Sequence, residues 1–242
     1  MKILNLGCGT KTNSRPEVVN IDWSVMLRIR RNPALRSLAS ILLDGDRLAR
    51  FRSLPSNVQL HNLARGIPYP DGSFDVVYHS HLLEHLDRDV APKFLAEAHR
   101  VLKPGGIHRI VVPDYELACR AYLASLEHSL VDHAAAKGHE DSIALLLEQS
   151  VRREAAGTSL QSPTRRRFEN LVLGDARQRG ETHQWAYDRV NLGQLLGRTG
   201  HRCCAVHAFD TSSIPEWRDY GLDLDTRGGP HQPGSLYMEA LK

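Results

Sequence analysis

The stretch that most constrains this chain is its opening, Lys2-Ile-Leu-Asn-Leu-Gly-Cys-Gly-Thr-Lys11. A short apolar run reads as a buried strand, and it breaks into a turn punctuated by Gly7 and Gly9. Without Cβ atoms in the way, backbone N–H groups of such a turn can face a ligand at close range. A parallel strand that ends this way puts the turn in the crevice at the carboxyl edge of its sheet. The rest of the chain must then supply neighbouring strands and a cover for that edge.

Glu17-Val-Val-Asn-Ile-Asp22 predicts a second strand ending in a carboxylate. Asn32 then caps a helix carrying Leu35, Leu38, Ala39 and Leu42, which Gly45 ends. A second helix from about Asp46 carries Leu48, Phe51 and Leu54 up to Pro55. Val58–Leu63, Phe74–Ser80 and Ile107–Val112 predict strands three to five. Between the last two, a helix presents Val90, Phe94, Leu95, Ala98, Val101 and Leu102 on one face and stops at Lys103-Pro-Gly-Gly106. From Asp114 the pattern turns helical and polar to about Arg179, with no strand signal. Asp188 caps a helix with Leu192, Leu195 and Leu196, and Cys204–Phe209 and Leu236–Leu241 are the last strands. This alternation predicts an α/β, Rossmann-like, mostly parallel seven-stranded sheet with helices on both faces. Residues 1–242 read as a single domain, with helical insertions at about 25–57 and 118–185 forming a cap or lid.

A chain of 242 residues with 41 % apolar and 24 % charged residues suits such a fold. No apolar run approaches the roughly 20 residues that cross a bilayer, and the chain enters its first strand at once, so neither membrane nor leader is expected. Cys8, Cys119, Cys203 and Cys204 have no metal or disulfide spacing, and the adjacent pair reads as strand residues facing opposite sides. A cytoplasmic location follows as the expectation. Seven arginines between Arg28 and Arg52, and seven between Arg152 and Arg179, are either solvated helix faces or a basic rim for an acidic ligand. No aromatic-interleaved basic motif accompanies them, so nucleic acid is not the expected partner.

The turn alone fits several nucleotide folds. The dinucleotide fingerprint wants another glycine where Thr12 stands, and the phosphate-loop motif does not fit Gly9-Thr10-Lys11-Thr12. The ordered set Leu4-Asn-Leu-Gly-Cys-Gly9, Asp22, Phe74-Asp-Val-Val-Tyr78 and Arg100-Val-Leu-Lys-Pro-Gly-Gly106 is more specific. It resembles the class I S-adenosylmethionine-dependent methyltransferases over most of residues 1–114. Ser80-His-Leu-Leu-Glu-His-Leu86 is similar to the small-molecule, type 11-like branch, and Trp185-Ala-Tyr-Asp188, Ser213-Ile-Pro-Glu-Trp217 and Ser235-Leu-Tyr-Met-Glu-Ala240 are similar to a branch associated with polysaccharide or natural-product pathways. The resemblance implies S-adenosylmethionine as cofactor, S-adenosylhomocysteine as product, and no metal. The motif's usual acid is Asn5 here, and its third glycine is Lys11.

On that reading the amides of Gly7, Cys8, Gly9 and Thr10 receive the cofactor's carboxylate, and Asp22 accepts from both ribose hydroxyls, with Trp23 beside it. Asn62 replaces the family's Asp near the adenine amino group, and Leu63 packs on the ring. His79, Ser80 and His81 leave the fourth strand where the sulfonium methyl should sit. Alternation puts His79 and His81 on one side and Ser80 on the other. His81 is the favoured general base for a hydroxyl acceptor, and His183 the alternative. Tyr115, Trp185 and Tyr187 are candidate walls of the acceptor pocket, or core residues packing the cap. His81, Glu84 and His85 spell H-x-x-E-H, but a zinc-protease site needs both His on one helix, and a new helix begins almost at once. The expected reaction is O-methylation of a sugar or secondary metabolite, with an acidic acceptor consistent with the arginines. N-methylation of a small amine or peptide, and a non-catalytic cofactor-binding protein, are the alternatives. Oligomeric state has no signature in the sequence.

Overall fold

The computed structural model describes residues 1–33, 36–37, 45–53, 55–132, 138–149 and 182–242. Its centre is a seven-stranded sheet in the order β3-β2-β1-β4-β5-β7-β6. The strands are β1 (Ile3–Leu6), β2 (Val18–Asp22), β3 (Val58–Leu60), β4 (Phe74–Ser80), β5 (Leu102–Pro113), β6 (Arg202–His207) and β7 (Ser235–Leu241). The first five run parallel, whereas β7 is antiparallel to both β5 and β6. β1 is fully buried at all four positions, as a strand covered on both faces must be.

One face carries α3 (Ala91–Val101) and α6 (Arg189–Arg198). Phe94, Leu95, Ala98, Leu192 and Leu196 pack there against Leu4, Leu6, Val77, Ile110 and Met238. The other face is covered by the C-terminal excursion between β6 and β7, which includes α7 (Trp217–Tyr220). Trp217, Tyr220 and Leu222 meet Ile3, Val76, Tyr78 and Val111. At the β3 edge, α1 (Val25–Arg31) and α2 (Gly45–Ser53) place Leu27, Ile29 and Phe51 on Cys8 and Val58.

Several boundaries differ from the sequence reading. α1, capped by the Ser24 hydroxyl, was not predicted; Asn32 closes it, and its carbonyl also accepts from Arg36 N–H. Gly45 is the first residue of α2, and residues 38–44 before it lie outside the described residues. The residues Leu35, Leu38, Ala39, Leu42 and Leu54, and the arginines at 152–179, lie outside the described residues. β3 stops at Leu60 because Asn62 caps a 3-10 turn, Leu63–Arg65. Lys103-Pro-Gly-Gly106 belongs to β5, at a bulge where Phe74 pairs with Leu102 and Val76 with Ile107. Cys203 and Cys204 do not alternate between two faces. β6 is an edge strand with a bulge, Cys203 has φ +51°, and both thiols are free and exposed. Within the expected cap, α4 (Tyr115–Val131) packs on α5 (His139–Gln149), and Asp114 caps α4. Among the described residues no helix is long and apolar enough to cross a membrane.

Candidate active site at the carboxyl edge of the sheet

β1 and β4 lie side by side, with Leu6 opposite His79, so the glycine turn and the Ser80–His81 corner share one edge. They enclose a cavity of about 200 Å³, lined by Gly7–Lys11, Asn5, Tyr78, Ser80, His81, His231 and Gln232. Gly7 and Gly9 have φ +62° and +52°. A Cβ on Gly9 would meet nothing within 4 Å, whereas one on Gly7 would press on Leu82 at 3.0 Å. Gly9 is thus required by its backbone angle and Gly7 by angle and space.

Asp22 sits across the turn. One of its oxygens accepts from Gly9 N–H and the other from Ser24 N–H at 2.7 Å. Cys8 N–H is used by the Ile21 carbonyl. Two of the four expected carboxylate-binding amides are therefore spent inside the protein, one of them fixing Asp22. The Cys8 thiol turns away into the apolar cluster under α1, where burial and then Asp22 push its pKa up. Beyond Asp22, Trp23 is exposed with the Arg28 guanidinium 5.1 Å from its ring centroid. The Asn62 amide oxygen accepts from Ala64 N–H at 3.0 Å, and Leu63 packs on the core. These three lie outside the cavity, along the ends of β2 and β3.

The two departures in the turn have structural roles. Asn5 Nδ2 donates to the Lys11 carbonyl and to Asn20 Oδ1, both at 3.0 Å; a carboxylate could do neither. Lys11 is partly buried at the edge of the cavity, and its ammonium donates to the Leu224 carbonyl. Burial lowers its pKa, against the pull of Asp223 and Asp225.

His79 is not at the crevice. Alternation places it with Val77 beneath α3, fully buried, edge-on to Phe94 and His108 at 5.2 and 5.1 Å. Burial lowers its pKa to about 3, and neither ring nitrogen has a hydrogen-bond partner. His81 does not follow His79. Its φ of +49° ends the strand and turns the ring to the side of Ser80. His81 Nε2 bonds Ser235 Oγ at 2.8 Å, and Nδ1 is 3.3 Å from Glu84 Oε1. Burial, then the neighbouring His85, His183 and His231, lower its pKa to about 4.

Glu84 lines a second cleft, where Tyr115, His183, Trp185 and Tyr187 do come together with Pro113. That cleft is too narrow for a water molecule. Tyr187 is core, bridging to Asp114, and burial and Glu84 raise its hydroxyl to about 12. Trp185 is half-buried under the Arg88 guanidinium, 3.9 Å from its ring centroid. The two candidate bases thus face different spaces, His81 the cavity and His183 the cleft. Tyr78, His231 and Gln232 were missed as site residues by the sequence reading, and Glu84 entered it only through the H-x-x-E-H pattern. Only the Gly-Gly-Pro-His-Gln-Pro run at 228–233 hinted at a structured loop.

The family model described as a methyltransferase domain matches residues 4–110. A probable methyltransferase, ltbC, of Aspergillus luteorubrus is 34 % identical over 114 residues, spanning 43 % of this chain and 37 % of that protein. An uncharacterised methyltransferase of Schizosaccharomyces pombe is 32 % identical over 138 residues, 54 % of this chain and 46 % of that one. The chain spans less than half the length of these curated relatives. A solved Thermotoga maritima protein, described as an S-adenosylmethionine-dependent methyltransferase and possible histamine N-methyltransferase, covers all of this chain and 82 % of its own at 15 % identity and TM-score 0.44. The parallel strands, the glycine turn and the Asp22 locked to it lie largely within residues 4–110, the stretch that matches the methyltransferase-domain model.

Proposed function

We propose that the chain transfers a methyl group from S-adenosylmethionine to a hydroxyl of a small acceptor, a sugar or secondary metabolite, under a cap built from about 25–57 and 118–185. The observation that carries the reading is the His81 imidazole, turned by its left-handed backbone into the cavity that the glycine turn borders. The site fits the cofactor: the Gly9 position is open to the crevice, and Asp22 keeps free lone pairs beside its two amide bonds. Gly7–Thr10, Asp22, Asn62 and Leu63 are the residues that would hold it. When bound, it supplies an electrophilic methyl.

The protein's own part is orientation and one proton. Ser235 bonds His81 at Nε2 while Glu84 Oε1 stands 3.3 Å from Nδ1, and an acceptor hydroxyl that replaces the Ser235 bond meets Nε2 as proton acceptor. Calorimetry with S-adenosylmethionine tests the first half, and absence of saturable binding sinks the whole reading. Formation of S-adenosylhomocysteine with sugar or phenolic acceptors tests the second. His81→Ala should lower kcat about 10²-fold or more while leaving cofactor affinity within a few fold. An unchanged kcat at high pH would favour an amine acceptor, and binding without any turnover would leave a passive cofactor-binding protein. A steep loss of RNA binding with salt would instead indicate nucleic acid.

A further inference from the structure

We infer that Glu84, His85 and His183 form a divalent metal site of the zinc class, joining the turn after β4 to the loop before α6. Donor atoms of the three residues all lie within 4.8 Å of one another, although His183 is 98 residues from His85. Glu84 is 1 % exposed, and neither carboxylate oxygen has a hydrogen-bond partner. His81 Nδ1 and His85 Nε2 stand 3.3 and 3.9 Å from Oε1, in ion-pair range without bonding geometry. A buried carboxylate left in that state is costly, and a cation is the partner that would satisfy both oxygens at once.

The donor chemistry is specific. Two imidazoles and one carboxylate make the three-ligand set of open zinc sites, and imidazole also suits the neighbouring transition metals but not magnesium or calcium. His85 Nδ1 is bonded to the Thr182 carbonyl at 3.2 Å, which leaves Nε2 directed towards Glu84. An imidazole that donates one N–H to a carbonyl and offers the other nitrogen is the usual state of a metal-bound histidine. The His85 and His183 rings meet edge to face, with centroids 5.0 Å apart. Ligands about 2 Å from a tetrahedral ion lie about 3.3 Å apart, so the cluster must contract by at most about 1.5 Å. The H-x-x-E-H pattern therefore does not act as a helical protease motif. Residues 83–85 are a 3-10 turn, and the second imidazole comes from His183.

The test is zinc binding by the untagged 242-residue chain after chelator treatment, read by calorimetry with Zn²⁺ and by metal content after desalting. One equivalent is expected, with affinity falling at least about tenfold in His85→Ala, His183→Ala and Glu84→Gln. It should be unchanged in the Cys203→Ser/Cys204→Ser double variant. Co²⁺ in place of zinc should give visible absorption of a nitrogen- and oxygen-ligated ion, without the thiolate charge-transfer band. If Glu84→Gln does not fold, the two half-exposed histidines carry the test. No saturable binding, unaltered affinity in His183→Ala, or loss confined to the cysteine variant overturns the inference. Cofactor calorimetry on the same samples is independent: S-adenosylmethionine binding without zinc binding ends this proposal and leaves methyl transfer standing.

Discussion

Asp22 shows how much one residue can organise. Its carboxylate bonds the backbone on both sides, Gly9 before it and Ser24 after it, so the turn after β1 and the start of α1 share one anchor. In Asp22→Asn one amide N–H group replaces an acceptor oxygen, and only one of those backbone bonds survives. Loss of a charged acceptor predicts at least about a tenfold drop in S-adenosylmethionine affinity by calorimetry. Unaltered affinity would remove Asp22 from the cofactor site. The glycines of the same turn should separate by stability. Gly9→Ala places a left-handed alanine in open space, a loss of about 1–2 kcal/mol. Gly7→Ala adds the contact with Leu82 and should lose more in urea unfolding. An equal loss in both would mean that Leu82 moves aside freely. These glycines and Asp22 were legible in the sequence because turn geometry is local. Which amides remain available was not legible, since Cys8 and Gly9 are bonded to β2.

At the scale of the element, β4 and β5 divide the chemistry between two faces. β4 was predicted with its true ends because seven residues of strand-forming character lie between turns. The direction of His81 escaped prediction, because period two holds only while φ stays in the β region and His81 leaves it. β5 hides something the apolar pattern did not suggest. Arg109 is fully buried on the C-terminal face, with Nε 2.7 Å from Asp223 and Nη1 2.6 Å from Glu239. Tyr78 and Trp217 donate to the same Asp223 at 2.7 and 2.6 Å. Arg109→Met would strand two buried carboxylates and should lower stability by about 3–5 kcal/mol in denaturant unfolding. For Glu239, burial raises the pKa, but Ser212, the Ser213 N–H and Arg109 together bring it below the ordinary 4.5. A folded pKa below the unfolded one means stabilisation that is complete above about 4.5 and lost as pH falls through the folded value. The unfolding midpoint should therefore drop on acidification below that range, and Glu239→Gln should flatten that part of the profile. An unchanged acid slope in the variant would show that other carboxylates dominate.

At the scale of the whole molecule, the crevice is closed by parts of the chain furthest apart in sequence. The expectation was a lid made from the two insertions, yet His231 and Gln232 line the cavity from the C-terminal excursion. Lys11 and Asn13 fasten the first turn to it through the Leu224 and Tyr220 carbonyls. Such contacts span more than 200 residues and carry no periodic signal, so the core sheet was readable in the sequence while the C-terminal wall of the cavity was not. The excursion has a deep part and an outer part. Asp223 is locked into the Arg109 network, whereas Asp225 only closes the turn that follows, accepting from Arg227 N–H and Gly229 N–H at 2.8 Å each. Leu224 then bridges to Pro230, and His231 N–H returns to the Asp223 carbonyl. Changing the deep residue should unfold the protein, and changing the outer one should only loosen the wall. Asp223→Asn is expected to lower the melting temperature markedly. Asp225→Ala should leave it nearly unchanged while weakening S-adenosylmethionine binding several-fold, mainly through faster release, because the face carrying His231 and Gln232 is no longer held. Stopped-flow release and calorimetry on the two variants check this. Equal cofactor affinity in Asp225→Ala and the parent chain would mean that the excursion supports the sheet without gating the crevice.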